Sequence, residues 1–178
     1  MSSQPPAKLT LIIEPLGVRH DRAAFSCGVA ALDRHLKTQA GQDMKKNLAA
    51  VYVAAPDGKT IAGYYTLSAY SVRLDSIPEE IAKKLTKMPE VPSTLIGRLA
   101  RSDAFPKQGI GEILLINALK HSLENSKHIA SWAVIVDAKD ANAFAFYKKY
   151  GFVELPGTPN RLFLPMATVA KLFPLQST

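Results

Sequence analysis

The residues with the most chemical content are two short stretches in the second half of the chain. The first, Phe105-Pro106-Lys107-Gln108-Gly109-Ile110-Gly111-Glu112, stands between a strand pattern and a helix pattern. A helix start carries backbone N–H groups with no intrahelical acceptor and the positive end of the macrodipole. Glycines at 109 and 111 strip that start of side chains, so an anion can approach the N–H groups closely. A pyrophosphate is the natural ligand, with Lys107 adding charge. Two glycines opening a helix are also what an ordinary tight turn uses. A dinucleotide fingerprint would want a glycine at 114, where the chain has Leu114, and the Gly-Lys-Ser/Thr of a P-loop is absent.

The second stretch, residues 140–152 (DANAFAFYKKYGF), ends a helix and starts a strand. Gly151 suits the left-handed position that follows a helix. Phe144, Tyr150 and Phe152 read as core aromatics. Tyr147 is open to two readings, a packing ring or a general acid. A phenol with a pKa near 10 keeps its proton at neutral pH and can pass it to a departing thiolate.

The elements that must position these stretches follow from periodicity. Lys8–Leu16 reads as a strand weakened by Pro15, and residues 28–46 as a helix with Leu32, Leu36, Gln39 and Ala40 at helical spacing. Residues 49–55 and 60–74 read as a hairpin about the Pro56-Asp57-Gly58 turn. A short helix is expected over 77–87, opened by Pro78, then a connector over 88–93 and a strand over 94–100. Residues 109–124 form the longest helix. Its wide apolar stripe of Ile110, Ile113, Leu114, Leu115, Ile116, Leu119 and Leu123 predicts a deep groove against a sheet. Residues 130–136 read as a strand covered on both faces, 140–150 as a helix, and 152–155 and 161–167 as strands with Asn160 turning between them. The result is a mixed α/β sheet with antiparallel pairing early and one parallel strand-helix-strand crossover.

Composition sets the outer limits. The 178 residues, 47% apolar and 21% charged, suit a single globular domain over 1–178, with Met1 to Pro6 frayed. Cys27 is the only cysteine, which excludes an internal disulfide and a thiolate metal cluster; it reads as a small buried side chain. His20, His35, His121 and His128 fall in no motif and read as surface or packing residues. There is no signal-peptide pattern and no apolar run of about 20 residues, so no membrane partner is expected and the cytoplasm is the default location. The net charge of +7 is spread along the chain, which favours an anionic partner or serves solubility alone.

The two stretches, in this order and separated by one apolar strand, resemble the GNAT superfamily of N-acetyltransferases over roughly residues 49–167. The resemblance implies an α/β fold with a mixed central sheet, a splayed parallel strand pair and flanking helices. It also implies acetyl-CoA as cosubstrate and no metal. The family's phosphate motif falls on Pro106–Gly111, with Pro106 where the family carries Gln or Arg. Phosphate binding would then rest on Lys107 and on the backbone of Gln108, Gly109, Ile110, Gly111 and Glu112. By position, Leu99, Ala100 and Arg101 on the preceding bulged strand would pair with the pantetheine arm. A backbone N–H there would steady the oxyanion. Tyr147 would be the general acid toward the CoA thiolate, with Phe146 among the cofactor contacts. Asp140 stands where many members carry Asn.

A narrower likeness rests on Phe25-Ser-Cys27-Gly28-x-x-x-Leu32-Asp33-x-x-Leu36, on Ile96-Gly97-Arg98-Leu99-Ala100 and on Ala145-Phe146-Tyr147. These resemble GNAT toxins of bacterial toxin–antitoxin pairs. That likeness implies aminoacyl-tRNA as substrate, acetylated on its α-amino group, and a ribbon-helix-helix antitoxin as partner. A homodimer is expected by analogy alone. Arg98 and Arg101 are candidate RNA contacts, though strand arginines often bridge to carboxylates. The rival readings are a GNAT enzyme for a small amine or a protein N-terminus, and a basic nucleic-acid-binding module without catalysis.

Overall fold

The computed structural model describes residues 11–85 and 87–174; the frayed start expected at Met1–Pro6 lies outside them. In chain order the elements are β1 (Ile12–Pro15), α1 (Ala30–Arg34), a π-helical turn (His35–Gln39), α2 (Ala40–Lys45), β2 (Ala50–Ala55) and β3 (Gly63–Arg73). A 3₁₀ turn (Leu74–Ser76), α3 (Glu79–Ala82), β4 (Glu90–Arg101), α4 (Ile110–Asn125) and β5 (Ala133–Asp137) follow. The chain closes with α5 (Ala141–Lys149), β6 (Val153–Glu154), β7 (Arg161–Pro165) and α6 (Met166–Leu172). The strands hydrogen bond in the order β1-β2-β3-β4-β5-β7-β6, with β4 and β5 parallel, which is the mixed class expected. The parallel register runs from Thr94↔Val134 to Ile96↔Val136, and β4 continues to Arg101. Two compact units emerge, one of Met1–Tyr65 with Arg98–Leu114, the other of Thr66–Gly97 with Leu115–Thr178.

In the first unit, Phe25, Leu36 and Ala40 pack on Val51, Val53, Ile61, Tyr64 and Ala100. Tyr64 meets Phe25 edge-on at 5.5 Å, and its hydroxyl donates to the Leu32 carbonyl at 2.7 Å, which ties the strand to the helix. The π turn takes up one extra residue, so His35 and Leu36 as well as Ala40 face inward. His35 stacks on Tyr64, and its Nε2 pairs with Asp43 at 2.9 Å while its Nδ1 is buried without a partner. Gly63 is where the start of α4 comes down on the strands. A Cβ there would stand 2.7 Å from Leu114 Cδ1, 2.8 Å from the Ala100 carbonyl oxygen and 3.1 Å from Ile110 Cγ2. Only glycine permits that approach.

In the second unit β5 is buried from Ala133 to Val136 and pairs antiparallel with β7 over Ala133↔Pro165 to Asp137↔Arg161. Val72, Ile77, Val91, Leu155 and Phe163 form the core with Ala133 and Ile135, and Trp132 stacks on Phe163 at 5.3 Å. Asp140 caps α5, its carboxylate accepting the Ala143 N–H at 2.8 Å. That explains an acid at this position without any role in chemistry. Gly151 takes the left-handed backbone expected of it, and Asn160 makes the turn between β6 and β7 with φ 64°.

Several expectations need correction. The single helix over 28–46 is three pieces around the π turn, and the 77–87 helix shrinks to one turn. The connector at 88–93 is strand from Glu90 onward. Pro92 is tolerated because its carbonyl, not the missing N–H, is used: it accepts from the Trp132 N–H at 2.7 Å. Residues 166–167 begin α6 instead of ending a strand; Pro165 closes the ladder and opens the helix. The α4 stripe is narrower than read, with Ile110, Leu114, Leu115 and Leu119 buried but Ile113 exposed. Cys27, Phe144 and Tyr150 are half-buried, not core.

Gly63→Ala should destabilise the protein by about 1–3 kcal/mol in urea unfolding, because a backbone carbonyl and the start of α4 cannot both yield; a loss under about 0.5 kcal/mol would contradict the packing. Burial holds the His35 pKa below its ordinary value against the raising effect of Asp43. The unfolded chain therefore takes up the proton first, near pH 6.5. Stability is complete above that pH and declines as pH falls through it. His35→Gln should flatten the slope of stability against pH between 7 and 5. Part of the slope should remain from His121, whose pKa burial also lowers.

Candidate active site

The glycine turn lies wholly in the first unit and is held from beneath. The Ser102 N–H donates to the Ala62 carbonyl at 2.8 Å, and the buried Ser102 hydroxyl accepts the Ala104 N–H at 3.2 Å. The Asp103 N–H donates to the Ser26 carbonyl at 2.8 Å. This bond gives the Phe25–Leu36 motif a physical meaning. Phe25 and Leu36 pack in the core, the Asp33 carboxylate accepts the Cys27 N–H at 2.9 Å, and Ser26 anchors the loop that leads to α4. The motif is a buttress for the turn.

Lys107 (φ 57°) and Gly109 (φ 69°) both adopt left-handed backbone, the kind of turn in which successive N–H groups converge on a concavity. The Ile113 N–H donates to the Gly109 carbonyl at 3.0 Å and closes the first helical turn. The N–H groups of Ile110, Gly111 and Glu112 precede it and have no intrahelical acceptor. Ile110 is fully buried and pins this end of the helix beside Gly63. Above the turn there is space: a Cβ at Gly109 or Gly111 would meet nothing within 4 Å. Gly109 is required by its φ. Gly111 has no such need, and glycine in a helix costs up to about 1 kcal/mol relative to alanine. The open space above it would admit a ligand lying against the backbone. Exposed Lys107 supplies positive charge, and Arg101 extends a guanidinium nitrogen to the Phe105 carbonyl at 3.3 Å across the same loop. The residues fit a bound pyrophosphate.

The other donor-site candidates divide by face. Ala100 is buried in the core, so only its backbone can serve a ligand, while Leu99 is half-buried. Arg98 is half-buried, with its charge acting on His35 and Tyr64.

In the second unit, Tyr147 has a buried ring, set edge-on to Phe146 at 5.4 Å and Phe152 at 5.5 Å. Its hydroxyl makes no hydrogen bond among the described residues. Burial first, and the Asp137 carboxylate second, push its pKa up to about 12. The hydroxyl is therefore a proton donor at every working pH and never a base. Half-buried Phe146 also meets Tyr150 edge-on at 5.1 Å. A cavity of about 720 Å³ opens at the other end of α5, lined by Asp140, Phe144 and Glu154. Its two carboxylates suit no phosphate. Among the described residues no group of three His, Cys, Asp or Glu is placed to hold a metal, and no helix is long and apolar enough to cross a membrane.

Sequence reasoning missed Gly63 and Ser102. An isolated glycine in a β-branched strand pattern signals close backbone approach and could have flagged Gly63. Nothing local marks Ser102, because its partner Ala62 is 40 residues away.

Residues 90–166 match the acetyltransferase (GNAT) domain. The chain is 33% identical over 170 residues to the protein named "Probable toxin TacT" of Sinorhizobium fredii, covering 90% of this chain and 94% of that one. Among solved structures it is similar to AtaT complexed with acetyl-methionyl-tRNAfMet (TM-score 0.86, 28% identity, covering 93% of this chain and all of that one). It is also similar to AtaT carrying a Tyr-to-Phe substitution, bound to the C-terminus of the antitoxin AtaR and acetyl-CoA (TM-score 0.78, 27% identity, covering 92% and 98%).

The turn makes a two-sided prediction. Gly111→Ala should raise stability by up to about 1 kcal/mol through helix propensity, while its methyl group obstructs the anion. The KM for acetyl-CoA should rise on the order of tenfold, a loss of about 1.4 kcal/mol of binding. A stabilised variant with unchanged KM would remove Gly111 from the site.

Proposed function

The chain belongs to the GNAT acetyltransferases, and from that premise we propose that it carries the acetyl group of acetyl-CoA to the α-amino group of an aminoacyl-tRNA, as the toxin of a toxin–antitoxin pair. The observation that carries this reading is the open anion cradle at Gly109–Glu112, in a chain similar to a toxin over nine-tenths of its length. Both units then belong to one catalytic domain spanning residues 1–178.

In the proposed reaction, the N–H groups of Ile110, Gly111 and Glu112, with Lys107, hold the pyrophosphate of acetyl-CoA. The backbone of Leu99, Ala100 and Arg101 takes the pantetheine arm, and Phe146 packs on the cofactor. The neutral amine attacks the thioester carbonyl while a backbone N–H of β4 steadies the oxyanion. The C–S bond breaks, Tyr147 protonates the departing sulfur, and the amine gives its proton to water. Water suffices as base, since an α-amino group has a pKa near 8 and about a tenth of it is already neutral at pH 7.

Acetylation of the α-amine blocks peptide-bond formation, so the enzyme needs a neutralising partner. We assign that role to a ribbon-helix-helix antitoxin, with the toxin acting in the cytoplasm as a homodimer.

Labelled acetyl-CoA incubated with charged total tRNA should leave label on tRNA in an alkali-labile aminoacyl linkage. Label on no tRNA would sink the reading. Tyr147→Phe should lower kcat about 100-fold or more with little change in KM for acetyl-CoA, and relieve growth arrest on expression. Because the Tyr147 pKa lies near 12, wild-type kcat should show no alkaline decline below about pH 10 that the variant lacks.

A further inference from the structure

A groove of about 450 Å³ in the first unit is formed by the loop after β1 and the outer face of the π turn and α2. Its floor is Leu16 and Met44, half-buried against the core, and Val18 stands fully exposed at its edge. Its rim carries Arg22, Lys37 and Lys45, and no carboxylate lines it. The absence of pairing has a structural cause. The four acids of residues 11–46 are engaged elsewhere: Glu14 with Arg19 and His20, Asp21 with the Ala24 N–H, Asp33 with the Cys27 N–H, and Asp43 with His35. Among the described residues Arg22, Lys37 and Lys45 have no ion pair.

The groove is also shaped for its cations. Gly41 sits inside α2, where glycine is unfavourable by about 1 kcal/mol. A Cβ there would stand 3.3 Å from the Arg22 guanidinium, so the bare backbone lets Arg22 lie against the helix. The π turn shifts Lys37 relative to Lys45.

We propose that this groove docks the phosphodiester backbone of the RNA substrate, a site separate from the acetyl-CoA turn. The inference rests on the tRNA reading above. Two lysines and one arginine on a shallow rim suit phosphates met as point charges, more than carboxylates gripped in bidentate pairs. The apolar floor offers contact to ribose and base faces. Each cation contributes one phosphate contact and one increment of salt dependence.

The test compares two triple variants with equal charge change, Arg22→Gln/Lys37→Gln/Lys45→Gln in the groove and Lys120→Gln/Lys127→Gln/Lys171→Gln outside it. Binding of deacylated tRNA is measured against salt concentration. The groove variant should lower the slope of log K against log salt by about 2–3, and the control by under 1. KM for aminoacyl-tRNA should rise at least tenfold in the groove variant, with kcat and KM for acetyl-CoA unchanged. If Arg22→Gln unfolds the chain, Lys37→Gln/Lys45→Gln alone should lower the slope by about 1–2. Equal effects of the two triples, or no effect of either, would overturn the proposal. So would a groove variant that loses an antitoxin while keeping tRNA, since the occupant would then be a protein. Because deacylated tRNA needs no catalysis, tRNA bound through the groove but never acetylated would support the docking site and defeat the functional reading.

Discussion

The close approach of α4 to the strands at Gly63 is the constraint on which the donor turn depends. Ile110 and Leu114 reach the sheet only because position 63 has no side chain and the Ala100 carbonyl can lie beneath them. With Ile110 pinned, the next residues must face outward, so the amides of Ile110, Gly111 and Glu112 stand at the surface, where an anion can reach them. A helix start held even a side chain's width higher would carry the same residues without the same geometry.

The polar groups around that contact divide into those spent on structure and those left available. Ser26, Asp33, Ser102 and the Asp103 amide are spent holding the loop in place. The three helix amides and Lys107 have no such employment. Water meets these groups when no ligand is bound, so a ligand can take them over without breaking any bond of the fold. The cations of the groove follow the same logic, since their neighbouring acids are committed to backbone amides and histidines.

How much was legible in the sequence varied with the range of the interaction. The helix start at Gly109–Ile110, the turn at Asn160 and the cap at Gly151 rest on adjacent residues, and local spacing shows them. The π turn, the extension of β4 through Pro92 and the start of α6 were misread, because each is decided by partners far along the chain. Pro92 survives in a strand through the Trp132 amide, and the extra residue in the first helix is absorbed because both His35 and Ala40 find a core to face. Ile113 looks identical to Leu114 in a hydrophobicity pattern, and only the position of the sheet leaves one exposed and the other buried.

By itself the sequence determined the residue types of the chemistry: a glycine-stripped helix start, a phenol that carries its proton at neutral pH, and an excess of cations. The succession of strands and helices along the chain was also implicit in the alternation of apolar runs. Tertiary structure decided what those residues are worth. It set the depth of α4 through Gly63, buried Tyr147 so that its pKa rose, and paired off the local acids so that Arg22, Lys37 and Lys45 remained uncompensated. The reason is one of range. Backbone preference and periodicity act over a few residues, whereas desolvation and ion pairing depend on whatever the fold brings alongside.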